Sequence, residues 1–281
     1  MTKGLSVALC AIVKDEADYI EEWLAFHILQ GVSRVVLYDN HSSDDTCRRA
    51  KAFGKHAGIE IVSWPDSTGG FDLAQRLAYY DGACRLAGVV DYAAFIDVDE
   101  FLFATDDRSL GQALAGFPEA VGAVAVNQRV FGSSGLLSST GEPVTARFTS
   151  AAAPDHPEAH WFKTIARPAR VVGFDTVHSV VLTWGDYVLP DGRPLPPRTK
   201  HQGYSSVAVG GALRLHHYML KSREEFELKK KRWTGQDLSA RYTDAYFEER
   251  DRTSNAVVDD RLKAFAPRIL ELVASVRVGA R

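Results

Sequence analysis

The chain has 281 residues and a formal net charge of −3, with 46% hydrophobic and 25% charged residues. That composition supports a sizeable globular core and excludes a dedicated nucleic-acid binder, which carries a strong basic excess. Three cysteines, Cys10, Cys47 and Cys84, exclude a disulfide framework and suit a reducing compartment.

Met1-Thr-Lys-Gly-Leu-Ser6 runs directly into an apolar segment, without a long apolar leader, and no apolar stretch approaches the ~20 residues that span a bilayer. A cytoplasmic protein is the expectation. Residues 5–13 read as a buried strand. Lys14-Asp-Glu-Ala17 opens a helical pattern with Ala17, Ile20, Leu24 and His27 on one face, and Gly31 caps it. Residues 35–38 form a second strand, followed by the polar turn Asp39-Asn-His-Ser-Ser-Asp-Asp-Thr46 and a helix ending near Gly54. A third strand covers 59–62 and an amphipathic helix 72–86. Tyr92-Ala-Ala-Phe-Ile-Asp-Val-Asp-Glu-Phe101 is a fourth strand ending in acids. Strands alternating with helices imply a parallel, doubly wound sheet, which binds ligands beyond the carboxyl ends of its strands.

The second half is less regular. Residues 122–130, 164–172 and 177–182 read as strands, and the proline-rich stretch 190–197 reads as a hairpin tip around Asp191-Gly192. Ser222-Arg-Glu-Glu225 has capping-box spacing and starts a helix through Trp233. Leu262, Phe265, Ile269, Leu272 and Val276 form a last helical stripe, which Pro267 divides. A single domain over 1–281 is the simplest organisation, with a first half at 1–104, a mixed-sheet half at 105–233 and a helical extension at 234–281.

Asp97 and Asp99 carry the strongest chemical signal. Alternate strand residues share a face, so the two carboxylates are expected to project together at the strand end. At that separation they repel unless a cation lies beside them, and a hard divalent ion that also accepts phosphate oxygens is the natural partner. Mn²⁺ or Mg²⁺ there would stabilise negative charge on bound phosphate oxygens. Asp99 is the expected direct ligand, with Asp97 acting directly or through water. His217 is a possible third ligand that favours manganese. Lys163, Arg167, Lys221 and Arg223 are candidates to neutralise a pyrophosphate. Lys229-Lys-Lys-Arg-Trp233 reads either as a solvated face or as a peripheral membrane contact.

Several ordered motifs carry a family resemblance. Ala11-Ile-Val-Lys-Asp-Glu16, Tyr19-Ile-Glu-Glu-Trp23 and Tyr38-Asp-Asn-His-Ser-Ser-Asp44 resemble the opening of GT-A type nucleotide-sugar glycosyltransferases, and Phe95-Ile-Asp-Val-Asp-Glu-Phe101 resembles their metal motif. Phe131-Gly-Ser-Ser-Gly135, Lys163-Thr-Ile-Ala-Arg-Pro168, Val177-His178 and His216-His-Tyr-Met-Leu-Lys-Ser222 are similar to later motifs of glycosyltransferase family 92 and the neighbouring family 2-like proteins. The resemblance implies a GT-A, Rossmann-like sheet flanked by helices, with a mixed-sheet acceptor half. It implies a nucleotide-sugar donor, most often a UDP-sugar, and a glycan or lipid-linked acceptor. Lys14 and Glu16 would meet the ribose or base, Asp39 the uracil or ribose, and Gln75, with Arg76 beside it, the donor. It favours inversion, which needs a general base. Asp175, Glu158 and Asp155 are available; Asp175, near His178, is the choice, and Glu100 would orient a ligand or the acceptor. A nucleotidyltransferase and a non-catalytic sugar-nucleotide binder remain the alternatives.

Overall fold

The computed structural model describes residues 4–64, 70–197, 202–232 and 242–279. The first hundred residues form β1 (Val7–Val13), α1 (Ile20–Leu29), β2 (Val32–Asp39), α2 (Thr46–Ala52), β3 (Gly58–Ser63), α3 (Gly70–Leu86) and β4 (Tyr92–Phe95). The four strands pair in parallel in the order β3-β2-β1-β4. Every residue of β1 and β4 is buried, because helices cover both faces of the sheet and each strand is therefore apolar throughout.

The remainder comprises β5 (Glu100–Ala104), α4 (Leu110–Leu114), β6 (Val121–Val130), α5 (Val144–Arg147), β7 (Ser150–Ala151), β8 (Phe162–Ala166), β9 (Val171–Phe174), β10 (Val180–Leu182) and β11 (Asp186–Val188). It continues through β12 (Leu213–His217), α6 (Arg223–Arg232), α7 (Asp244–Thr253), β13 (Val257–Val258) and α8 (Ala266–Gly279). The sheet extends as β4-β8-β6-β12-β5. β6 bridges its two parts, pairing antiparallel with β8 at residues 123–127 and then parallel with β12 at 128–130. One apolar core joins β1, α1, β5, β12 and α8.

Several expectations need correction. Lys14–Glu16 do not open the first helix, which begins at Ile20. The 14–17 segment instead zips onto the 42–46 turn: Asp15 N donates to Ser42 Oγ, Glu16 N to Thr46 Oγ1, and Ala17 N to Asp44 Oδ2. Short polar side chains outcompete a helical turn for those amides. The expected strand 164–172 breaks at Pro168, where a 3-10 turn separates β8 from β9. β5, wholly buried, is a strand that periodicity did not reveal. Asp97 and Asp99 lie in the turn between β4 and β5, not on one face of a strand. Other expectations hold. Gly31 has φ +90° after α1, Ser222 and Glu225 exchange capping bonds, and Pro267 falls in the first turn of α8 after a 3-10 turn. Trp233 lies outside the described residues.

Candidate active site

A cleft of about 250 Å³ opens beyond the carboxyl ends of β1, β4 and β12. β1 delivers Lys14 and Glu16 to its wall, α3 delivers Phe71, Asp72 and Gln75, and the β4–β5 turn delivers Asp97 to Glu100. His217 and Met219 come from the end of β12, Val177 and His178 from the loop before β10, and Lys229 and Tyr242 close the far side. The sheet explains the convergence: His217 is the direct cross-strand neighbour of Glu100.

The carboxylates of the acidic turn have different partners. Asp97 Oδ1 accepts from Gln75 Nε2 at 2.7 Å and Tyr79 Oη at 3.1 Å, and its Oδ2 from Lys163 Nζ at 2.8 Å. Burial pushes the Asp97 carboxyl up, but the Lys163 ammonium outweighs it and holds the group below the ordinary carboxylate range. Asp99 Oδ2 accepts from Lys229 Nζ at 2.8 Å, and its Oδ1 lies 3.5 Å from His217 Nε2. Against burial, the Lys229 ammonium holds Asp99 well below the usual range, and His217 adds to this only when its ring is charged. Glu100, 1% exposed, accepts from the Asp97 amide at 2.8 Å and braces the turn from beneath. Burial pushes Glu100 up to about 7; Lys163 opposes the rise and the Asp97 charge adds to it. Lys163 and Lys229 are each pushed down by burial and raised further by their carboxylates, so both remain ammonium ions.

Gln128 fixes the imidazole of His217. The Gln128 amide nitrogen donates to Glu158 O at 2.9 Å, so its oxygen faces His217 Nδ1 at 2.8 Å. An amide oxygen only accepts; Nδ1 therefore carries the proton. In the neutral ring, Nε2 then presents a lone pair towards Asp99 Oδ1. Two lone-pair donors 3.5 Å apart repel unless a cation lies against both. The oxygen-nitrogen donor pair suits manganese or magnesium, completed by phosphate oxygens and water. Asp97, by contrast, has Gln75, Tyr79 and Lys163 on its two oxygens. Among the described residues, no group of three or more His, Cys, Asp or Glu side chains stands ready to hold a metal. A cation here would rest on two protein donors, Asp99 and His217.

Not every expected residue reaches the cleft wall. Asp39 Oδ1 accepts from Ser42 N within its own turn at 3.1 Å. Arg76 pairs with Asp72 at 3.0 Å and bonds the Asp175 carbonyl at 3.5 Å. Asp175 itself belongs to the turn after β9 and is not part of the wall, although Val177 and His178 are. Lys221 is buried with its ammonium 4.1 Å from the Tyr19 ring centre; burial lowers its pKa although the Asp99 charge opposes this. Arg167 lies over the Tyr92 ring, and Arg223 pairs with Glu227 and Asp244. Glu158 is taken by Arg250 at 2.9 Å.

Sequence reasoning misjudged Lys229. Within the cluster read as solvated or membrane-facing, Lys229 turns inward to Asp99, and Lys230 pairs with Glu227 and Asp244. The available signal was the helix phase: on α6, Phe226 is fully buried and Lys229 lies three residues on, on the same side. Tyr79, Gln128 and Glu225 were also missed; the last joins Arg147 in a buried bidentate pair.

A parallel β3-β2-β1-β4 sheet, extended by mixed strands and carrying an acidic turn at the end of β4, defines a GT-A type fold. The model of glycosyltransferase family 92 matches residues 3–185. The chain belongs to that family. A family 92 protein of Ricinus communis is 28% identical over 170 residues, covering 59% of this chain and 29% of its own length. One of Oryza sativa subsp. japonica is 27% identical over 169 residues, covering 59% and 27%. The match thus spans under a third of these curated relatives. Among solved structures, S. aureus TarS 1–349 in complex with UDP overlaps with a TM-score of 0.45 at 13% identity, over 88% of this chain and 71% of that one. Glucosyl-3-phosphoglycerate synthase from Mycobacterium tuberculosis, in complex with Mn²⁺, UDP and glucosyl-3-phosphoglycerate, overlaps with a TM-score of 0.30 at 19% identity, over 45% of each chain. Both overlaps are distant. Among the described residues, no helix is long and apolar enough to cross a membrane.

Proposed function

We propose that the protein transfers a hexosyl group from a UDP-sugar to a hydroxyl of a glycan or lipid-linked acceptor, with inversion. The observation that carries this reading is the convergence of Lys14, Glu16, Gln75, Asp99 and His217 on one cleft at the carboxyl ends of the parallel strands. Family membership supports it. Lys14 and Glu16 would bind the nucleoside. Gln75, Tyr79 and Lys163 hold Asp97, and through it the turn that presents Asp99.

Asp99 and His217 would hold Mn²⁺ or Mg²⁺, whose chemistry when bound is to neutralise charge building on the diphosphate leaving group. Lys229, and Lys221 behind it, would offer ammonium charge to the same phosphates once the donor competes with Asp99. Asp175, two residues before Val177 in the wall, is proposed to take the acceptor proton. Glu100 acts through the Asp97 amide and orients the turn.

Calorimetry with UDP, with and without manganese, tests the donor site, and UDP release from a panel of UDP-sugars tests transfer. Manganese-dependent UDP binding is expected. UDP binding that is equal in EDTA and unchanged by Asp99→Ala would defeat the metal assignment. Full turnover in Asp175→Asn would remove the proposed base.

A further inference from the structure

β6 and β12 carry a second charged cluster on the face opposite His217. Arg129 and His216 are register neighbours, and Arg214 precedes His216 by two residues, so the three side chains share one face of the ribbon. Arg129 and Arg214 line a separate cleft of about 120 Å³, with Pro154, Ala159, Val209 and Gly210.

The charge there is unbalanced. Among the described residues, Asp259 is the single carboxylate paired with this cluster, 2.7 Å from Arg261 Nε, 3.5 Å from Arg129 Nε and 3.7 Å from His216 Nε2. Three guanidiniums against one carboxylate leave an excess of about two positive charges, since arginine stays protonated. Arg214 Nε is buried without a hydrogen-bond partner among the described residues, and Arg129 Nε reaches Asp259 Oδ2 only as a long contact at 3.5 Å, short of a hydrogen bond. Unpartnered buried polar atoms are costly unless water or a ligand completes them.

We infer that this face of the β6–β12 ribbon is a second binding site, for an oxyanion of the phosphate class, held by the guanidiniums of Arg129 and Arg214. A phosphate dianion matches the excess charge, which a single carboxylate would only half neutralise. Its oxygens accept from two guanidiniums converging from neighbouring strands. The site lies behind the donor cleft, and Gln128, which lines it, also holds His217. It would take free phosphate or the phosphomonoester of a glycan.

Inorganic phosphate and methyl phosphate are titrated calorimetrically into the full chain, with and without saturating UDP, and glucuronate is the carboxylate control. Phosphate binding that survives UDP and weakens about tenfold or more in Arg214→Met is expected, the usual loss for a charged hydrogen-bonding partner. Gly210→Ala provides a second variant that keeps the charge. A Cβ there would lie 2.6 Å from Arg214 Nη2 and push the guanidinium aside, so this variant too weakens phosphate. Methyl phosphate binding at least as tightly as phosphate marks a phosphorylated glycan as the source; binding of inorganic phosphate alone marks the free anion. No phosphate binding, glucuronate binding in its place, or unchanged affinity in both variants would overturn the assignment. Because the readout is anion affinity, such a failure leaves the donor-site reading standing.

Discussion

The two faces of the β6–β12 ribbon handle charge in opposite ways. On the cleft face, Asp97, Asp99 and Glu100 stand against Lys163 and Lys229, each lysine 2.8 Å from an aspartate. On the other face, Arg129, Arg214 and Arg261 stand against Asp259 alone. On the first face both lysines are already paired with carboxylates, so an incoming anion must displace a carboxylate from its lysine or arrive with a cation. The second is left cationic and needs only an anion. Paired lysines thus line one face and under-paired arginines the other.

Breaking the balance of the cleft face has the largest expected effect. Lys163→Met leaves the buried Glu100, and the partly exposed Asp97 beside it, without their cation, and should cost about 3 kcal/mol of unfolding free energy in urea. Adding Glu100→Gln should restore part of it. Asp99→Asn removes the carboxylate shared by Lys229 and His217, and should lower UDP-sugar turnover about 10²–10³-fold while UDP release remains measurable. Gln128→Leu removes the partner that fixes the His217 tautomer. Turnover or manganese affinity should fall about 10–100-fold, with unfolding little changed.

Proton linkage sharpens the comparison further. Glu100 is raised in the folded protein from an ordinary 4.5 to about 7, so the folded state binds its proton more tightly than the unfolded state. Stability from this group is present below about 4.5, falls as pH rises to about 7, and is flat above. Urea midpoints at pH 5 and pH 8 should show the loss, of order 1–2 kcal/mol, and Glu100→Gln should flatten it. The smallest effect belongs to the cationic face. Arg261 is half exposed, so Arg261→Ala should change stability by under about 1 kcal/mol.

Legibility followed the range of the interactions. The parallel first half was readable because β1 and β4 are apolar and buried throughout and α1 ends on a local signal at Gly31; in the second half the Ser222–Glu225 box was legible in the same way. β5 was not, because Glu100-Phe-Leu-Phe-Ala104 follows the acidic turn without a break and declares itself only by pairing with β12, more than a hundred residues later. The segment 14–17 misled for a similar reason: its amides are taken by Ser42, Asp44 and Thr46, residues that looked like local caps.

By itself, the sequence determined the alternation of strands and helices, the position of the acidic pair at the end of β4, and the family. These depend on hydrophobic period, capping and motif order, all readable along the chain. The tertiary structure alone decided that Asp97 is held by Lys163 while Asp99 faces His217, that Lys229 belongs to the cleft and not to a surface, and that three arginines share one aspartate behind it. Charge is neutralised by whatever lies within a few ångströms in space, and sequence spacing does not encode that distance.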